Sequence, residues 1–229
     1  MDRFAVQADQ FRAQFVGILS HDLRTPLGAI TAGAALLALP EDNPQRRGWV
    51  VTRIMTSAQR MERMIRDLLD VTLARLSGSI PLKRQAADLK QLCEEAVIEI
   101  RAGHPEAAVR LEANGNLRGE WDGDRLTQVI SNLIGNAIQH GMGTPVTLTA
   151  EENADSVTVA VHNGGPPISP DVLPIVFEPL TRGNEETDGH SIGLGLFIAR
   201  AIVSAHGGNI QVASSADAGT TFTLTLPKA

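Results

Sequence analysis

Apolar and polar positions recur with a helical period over roughly the first third of the chain. Phe11, Phe15 and Ile18 are spaced 4 and 3 apart, and Ile54, Ala58, Met61, Ile65, Leu68 and Thr72 follow at 4, 3, 4, 3 and 4. That repeat is a heptad seam and predicts long helices packed along their length. Between the two runs, LPEDNPQRRG (residues 39–48) supplies the Pro, Asn and Gly of a break, so the region up to about Leu76 is expected to be a helical hairpin. Two helices bury little surface by themselves. The economical completion is a second copy of the chain, giving a dimeric four-helix bundle; the competing arrangement packs the hairpin on the rest of its own chain.

After SGSIP (residues 77–81) the pattern changes to mixed helix and strand. Asp88 to Ile100 reads as a capped helix, and WDGDRLTQVISNLIGNAIQHG as a second helix whose start is marked by Asp122 and Asp124. PVTLTAEE and SVTVAVHN alternate in strand fashion on either side of Asn153 to Asp155, which suits an antiparallel hairpin. Ser169-Pro170 has the form of an N-cap followed by proline in the first helical turn. A helix from about Gly195 to His206 and two strands, NIQVAS and TTFTLTL, complete the reading. The expected class is α+β: a helical domain over residues 1–78, then an α/β sandwich over residues 79–229.

Composition narrows the partners. With 229 residues, 43% of them hydrophobic, the chain can fill a real core. A net charge of −6, aromatics at 3% and no tyrosine argue against a basic, aromatic-lined nucleic-acid groove. A single cysteine, Cys93, allows no internal disulfide and no cysteine-based zinc site, which fits a reducing, cytoplasmic setting. The longest run free of Asp, Glu, Lys, Arg and His, Thr25 to Pro40, is too short and too rich in Gly, Ala and Thr to span a bilayer, so no direct membrane insertion is expected of this segment. Nor does MDRFAVQADQ have the form of a signal peptide. A sensor or membrane segment upstream in a longer parent is compatible with this reading.

Three features of the second half carry candidate chemistry. Asn132 and Asn136 stand i, i+4 on one helix face; amide oxygens are hard ligands suited to magnesium, and amide NH2 groups bond phosphate. NGGPPI (residues 163–168) follows a strand and holds an open backbone that a flat ring can approach. SIGLGLFIAR (residues 191–200) puts Gly193 and Gly195 where a helix begins, the place for backbone N–H groups to meet an anion. FEPLTRGNEETDGHS (residues 177–191) lies between the last two and has the length and polarity of a lid. Each feature alone has a plain structural explanation: surface amides, a Gly-Pro turn, a helix start.

Their order decides. Asn-x-x-x-Asn, NGGPPI, a lid, GLGL and GTTFTLTLP resemble the N, G1, F, G2 and final glycine boxes of the sensor histidine kinase ATP-binding domain, a fold of the GHKL class. SHDLRTPL (residues 20–27) resembles the H-box of the same family's dimerisation and phosphotransfer hairpin. The resemblance runs from about Gln10 to Pro227. It implies ATP and magnesium as cofactors, a homodimer, and a response-regulator receiver domain whose aspartate takes the phosphoryl group.

The resemblance also implies roles. His21 would be the phosphoacceptor, and local chemistry agrees, because a neutral imidazole offers a free nitrogen lone pair near pH 7. Asp22 would hold the other ring proton and stabilise the imidazolium. Pro26 cannot donate to the preceding turn, which opens the backbone beside His21. Thr25, four residues on, would orient water for a phosphatase activity. Asn136, helped by Asn132, would hold magnesium. Gly193, Leu194 and Gly195 would face the phosphates; Arg182 in the lid is a candidate phosphate contact and His140 a candidate for packing on the nucleotide, the alternative for both being a solvated surface group. Asn163, Gly165 and Thr221 are further candidates for binding the nucleotide.

The chain departs from the family pattern at four places. Asn163 stands where an aspartate is usual, Pro167 where a second glycine is usual, Gln139 in place of a frequent lysine, and Ser191 in place of the first glycine of the G2 box. Two other readings compete. A gyrase- or chaperone-like ATPase needs a glutamate four residues before the magnesium asparagine, and Asn132 occupies that position; an amide is no general base. A dimeric docking scaffold with a decayed ATP site would bind nucleotide at most and leave His21 unmodified.

Overall fold

The structure, a computed structural model, describes residues 22–39, 43–181 and 193–228. The chain divides into two compact units, and the division falls between Asp70 and Val71 inside a long helix.

The first unit is built from α1, helical over 22–37, and α2, Pro44–Ser77, as far as Asp70. Asn43 caps α2: its side-chain oxygen accepts from the backbone N–H groups of Gln45 and Arg46 at 3.0 and 3.2 Å. Gly33 sets the spacing of the pair, since a methyl group there would come within 2.7 Å of Ile54 Cγ1. Along α2, Val50, Met64 and Val71 are buried and Ile54, Ser57, Met61 and Leu68 half-buried, a repeat of 4 and 3. The expected seam is therefore corrected by one column: Ile54, Met61 and Leu68 belong to it, whereas Ala58, Ile65 and Thr72 are exposed. The i+3 and i+4 positions of a helix lie on neighbouring columns, and α2 is apolar in both. Its second column, Val51, Met55, Ile65, Leu69, Leu73 and Leu76, is 39–82% exposed.

In the second unit the order is β1 (Gln85–Asp88), α3 (Leu89–Gly103), β2 (Val109–Asn114), β3 (Arg118–Trp121), α4 (Gly123–His140), β4 (Val146–Glu152), β5 (Ser156–Asn163), a 3-10 turn (Leu173–Ile175), α5 (Gly195–Ala205), β6 (Asn209–Ser215) and β7 (Gly219–Pro227). Five strands form one sheet, β2-β4-β5-β7-β6, antiparallel except for the β2–β4 pair; β1 and β3 form a separate two-stranded ribbon. Every second residue of the central strands is buried, among them Leu148, Val159, Val161, Phe222 and Leu224. These meet the apolar stripes of the helices that cover that face, Leu126, Ile130, Leu133 and Ala137 of α4 and Ile198 and Ile202 of α5. Period 2 facing period 3.6 is what makes a two-layer sandwich.

The expected β4–β5 hairpin is present, closed by Asn153 N–H donating to Ser156 C=O at 2.8 Å. The helix expected at Ser169-Pro170 is not. Ser169 C=O accepts from Val172 and Leu173, a tight turn, and Pro174 and Pro179 then remove the N–H groups that a longer helix needs. Among the described residues no helix is long and apolar enough to cross a membrane.

Candidate functional site

The site is built on α4. Asp122 caps its start by accepting from Arg125 N–H at 3.1 Å, and burial of Leu126, Ile130, Leu133 and Ala137 turns Asn132 and Asn136 to the flank, both half-buried. There Asn132 Nδ2 donates to Gly195 C=O at 3.4 Å, at the first residue of α5. Leu194, buried, anchors the start of that helix. Among the described residues no side chain caps α5, and its ladder opens with Ile198 N–H on Leu194 C=O at 3.0 Å. The N–H groups of Gly195, Leu196 and Phe197 thus precede the first helical bond, the arrangement that attracts an anion.

Both flanks of the expected lid are pinned at this point. Leu180 N–H donates to Gly193 C=O at 2.9 Å. Gly193 has φ +73°, and a Cβ there would lie 2.6 Å from Thr181 C=O, so only glycine fits. Upstream, Phe177 packs edge-on to Phe222 at 6.1 Å and lies under the Arg200 guanidinium at 5.8 Å, while Arg200 bridges Glu178 at 3.0 Å. Arg182 and Ser191, with the lid between them, lie outside the described residues.

The other end of the cleft lies where β5 stops. Asn163, only 3% exposed, pairs in register with Thr220 of β7. Gly165 sits against the His140 carbonyl and Gly141, and its missing Cβ leaves room for Asn163 Nδ2, which lies 2.9 Å from the place a Cβ would take. His140, half-buried, ends α4. Asn163, Gly165 and His140 are therefore brought together, while Asn132, Asn136, Gly193, Leu194 and Gly195 form the second cluster. Thr221 is not brought in. Its side chain points to the opposite face of the sheet, where Thr221 Oγ1 meets His162 Nδ1 at 3.0 Å. The residue on the Asn163 side is Thr220, buried and hydrogen-bonded to Ser214 Oγ at 2.7 Å. Alternation along β7 decides this, and the strand's register is needed to read it.

Of the phosphotransfer residues, His21 lies outside the described residues. Asp22 is half-buried and Thr25 exposed in the first described turn of α1, with Pro26 buried beside them.

The donor set suits a magnesium ion that shares its shell with phosphates. Among the described residues there is no cluster of three or more His, Cys, Asp or Glu to cage a metal, while the amide oxygens of Asn132 and Asn136 are hard donors on the α4 face that meets the start of α5.

Comparison with known proteins adds the decisive observation. Residues 121–229 match the family model for histidine kinase-, DNA gyrase B- and HSP90-like ATPases, and residues 11–76 match the His Kinase A phospho-acceptor domain. The chain belongs to the histidine kinases. It is 36% identical over 218 residues to a probable sensor histidine kinase, TcrY, of Mycobacterium tuberculosis, covering 93% of this chain and 45% of that protein. The solved catalytic domain of histidine kinase ThkA is 30% identical, with TM-score 0.53, over 64% of this chain and 96% of that one. ThkA in complex with response regulator protein TrrA shares the fold at TM-score 0.66 and 24% identity, over 97% of this chain and 64% of that one. The chain spans 30% to 54% of the length of the curated relatives it matches first. Neither histidine kinase model covers residues 77–120, which hold β1, α3 and β2 and most of β3.

Sequence reasoning missed three residues at the ends of this cleft, Thr220, Glu178 and Arg200, and one that joins α5 to α4 away from it, His206. His206 is buried between α5 and α4; its Nδ1–H donates to Ile202 C=O at 2.8 Å and its Nε2 accepts from Asp122 N–H at 3.0 Å. The second carboxylate oxygen of Asp122 accepts from Lys83 N–H at 2.7 Å. The legible signal was the Asp122 cap; the histidine that receives its N–H is 84 residues away in sequence.

Proposed function

We propose that the chain is the catalytic core of a sensor histidine kinase. It uses ATP to phosphorylate His21, then passes the phosphoryl group to an aspartate of a response-regulator receiver domain. Residues 1–78 form the dimerisation and phosphotransfer domain and residues 79–229 the ATP-binding domain. The observation that carries the reading is the meeting of Asn132, on the α4 face shared with Asn136, with the uncapped start of α5 at Gly195.

Phosphoryl transfer is governed by placement and charge neutralisation. The β- and γ-phosphates lie against the N–H groups of the α5 start, and the base lies at the Asn163 and Gly165 end. Asn136, with Asn132, would hold magnesium, which when bound would supply positive charge to neutralise the phosphates. A ring nitrogen of His21 attacks the γ-phosphorus as the bond to the bridging oxygen breaks and ADP departs. Asp22 takes up the positive charge of the imidazolium. The ThkA structure with its response regulator supports the same class of acceptor here, and Thr25 is positioned in sequence to orient water for a phosphatase activity, hydrolysis of the phosphorylated partner. The chain acts as a homodimer through the exposed column of α2.

Two variants separate the roles. Asn136→Ala is expected to weaken magnesium-dependent ATP binding by about tenfold or more, the loss of a hard ligand, and to abolish autophosphorylation. His21→Ala is expected to abolish autophosphorylation and leave equilibrium ATP binding unchanged. Normal labelling of His21 in the Asn136→Ala protein would refute the assignment of the α4 face.

A further inference from the structure

Among the described residues two that are not glycine have a positive φ, Met142 at +50° and Leu180 at +65°. The left-handed region is unfavourable for a bulky side chain and persists only where the surroundings over-determine it. Met142 stands 82% exposed in the turn after α4, whereas Leu180 is half-buried and its backbone is in use. Leu180 N–H donates to Gly193 C=O at 2.9 Å, two residues ahead of α5. Gly193 is pressed against the same stretch from the other side: a Cβ there would stand 3.1 Å from the Leu180 carbonyl carbon and 2.6 Å from the Thr181 oxygen. The stretch is braced again at its base. Glu178 N–H and Thr181 Oγ1 both donate to Ile175 C=O, at 2.8 and 3.0 Å. Glu178 Oε1 then bridges Arg200 Nη2 at 3.0 Å, within α5. Residues 175–181 therefore splint α5 from Gly193, ahead of the helix, to Arg200, inside it.

We infer that Leu180 is a positioning residue for the phosphates: its strained backbone holds Gly193, and through it the direction of the N–H groups of Gly195, Leu196 and Phe197. The inference rests on the reading of the α5 start as the phosphate end of a nucleotide cleft. Helix N–H groups bind an anion when they converge on it, and a hydrogen bond to a charged oxygen weakens steeply as its angle closes. With no side-chain cap among the described residues, the splint is what sets that angle. The isobutyl group is incidental. The bond to Gly193 needs an N–H at position 180 and a left-handed φ. Asparagine supplies both. Proline supplies neither, since its ring fixes φ at about −65° and removes the donor. Valine keeps the N–H, but its β-branch resists a positive φ.

The test is equilibrium binding of ATP and of adenosine to the full chain, read by NMR titration, in the natural protein, Leu180→Asn, Leu180→Pro and Leu180→Val. Adenosine has no phosphates, so it reports the rest of the cleft, which a general loosening of the fold would move as well. ATP affinity is expected to fall by about tenfold or more in Leu180→Pro and to stay within about threefold of the natural value in Leu180→Asn, with adenosine unchanged in both. Equal ATP losses in Leu180→Pro and Leu180→Asn would assign the effect to the side chain, and parallel losses of ATP and adenosine would make the role merely structural. Either result, or full ATP affinity in Leu180→Pro, overturns the inference and leaves the nucleotide reading intact. Absence of ATP binding to the natural protein would overturn both. If Leu180→Pro does not fold, Leu180→Val decides: ATP affinity about threefold or more below that of Leu180→Asn supports the inference, and equal affinity refutes it.

Discussion

His206 holds the end of α5 against the start of α4, with one ring nitrogen donating and the other accepting. The bond accepted at Nε2 requires the neutral ring, while the one donated from Nδ1–H does not. Burial pushes its pKa below the ordinary value of 6.5; the bond to Ile202 works against this, the Arg84 guanidinium adds to it, and Asp122 opposes. The folded state therefore binds the proton less readily than the unfolded chain. Its contribution is complete above about pH 6.5 and is lost as pH falls from there toward the lowered folded value. The urea midpoint is expected to drop between pH 7.5 and 5.5 more steeply in the natural protein than in His206→Asn; equal slopes would remove His206 as the cause. Cys93, the other perturbed core group, is pushed up to about 12 by burial, then by Glu94 and Asp88, so its thiol stays protonated and structural. At this scale the sequence was legible wherever spacing alone sets a face, as with Asn132 and Asn136. It misled at Thr221, because which side of β7 is inward depends on pairing with β5, and local alternation of threonines gives no clue.

α2 shows how an element can be read correctly in kind and wrongly in register. Two adjacent apolar columns run along it; one closes within the chain at Val50, Met64 and Val71, and the other presents Ile65 and Leu69 at 47% and 57% exposure. Covering a large apolar side chain is worth about 1.5 to 3 kcal/mol, so a column of this length favours a second copy of the helix pair. Ile65→Lys with Leu69→Lys is expected to yield monomers by sedimentation, with the fold of the second unit kept. A dimer of undiminished affinity would show that this column is not the interface. The β1–β3 ribbon was invisible beforehand for a different reason: each strand is only 4 residues long, and the partners lie on either side of α3. The false helix at Ser169 arose from a true local signal, a capping serine before proline, overruled by Pro174 and Pro179.

For the molecule as a whole, the change of period after residue 77 made the α+β class readable, since a 3.6 repeat gives way to strict alternation in β4, β5 and β7. The parallel pairing of β2 with β4 was not readable, because α3, β3 and α4 frame it and no short turn joins the two strands. Function was readable because the motifs occur in order, and the fold brings Asn132 to Gly195 and Asn163 to Gly165. The central claim is that this chain phosphorylates its own His21. Incubation of the full chain with magnesium and γ-labelled ATP tests it directly. Protein-bound label that is acid-labile, base-stable and absent from His21→Ala is the predicted result; nucleotide binding with no such label, or label that persists in His21→Ala, would contradict it.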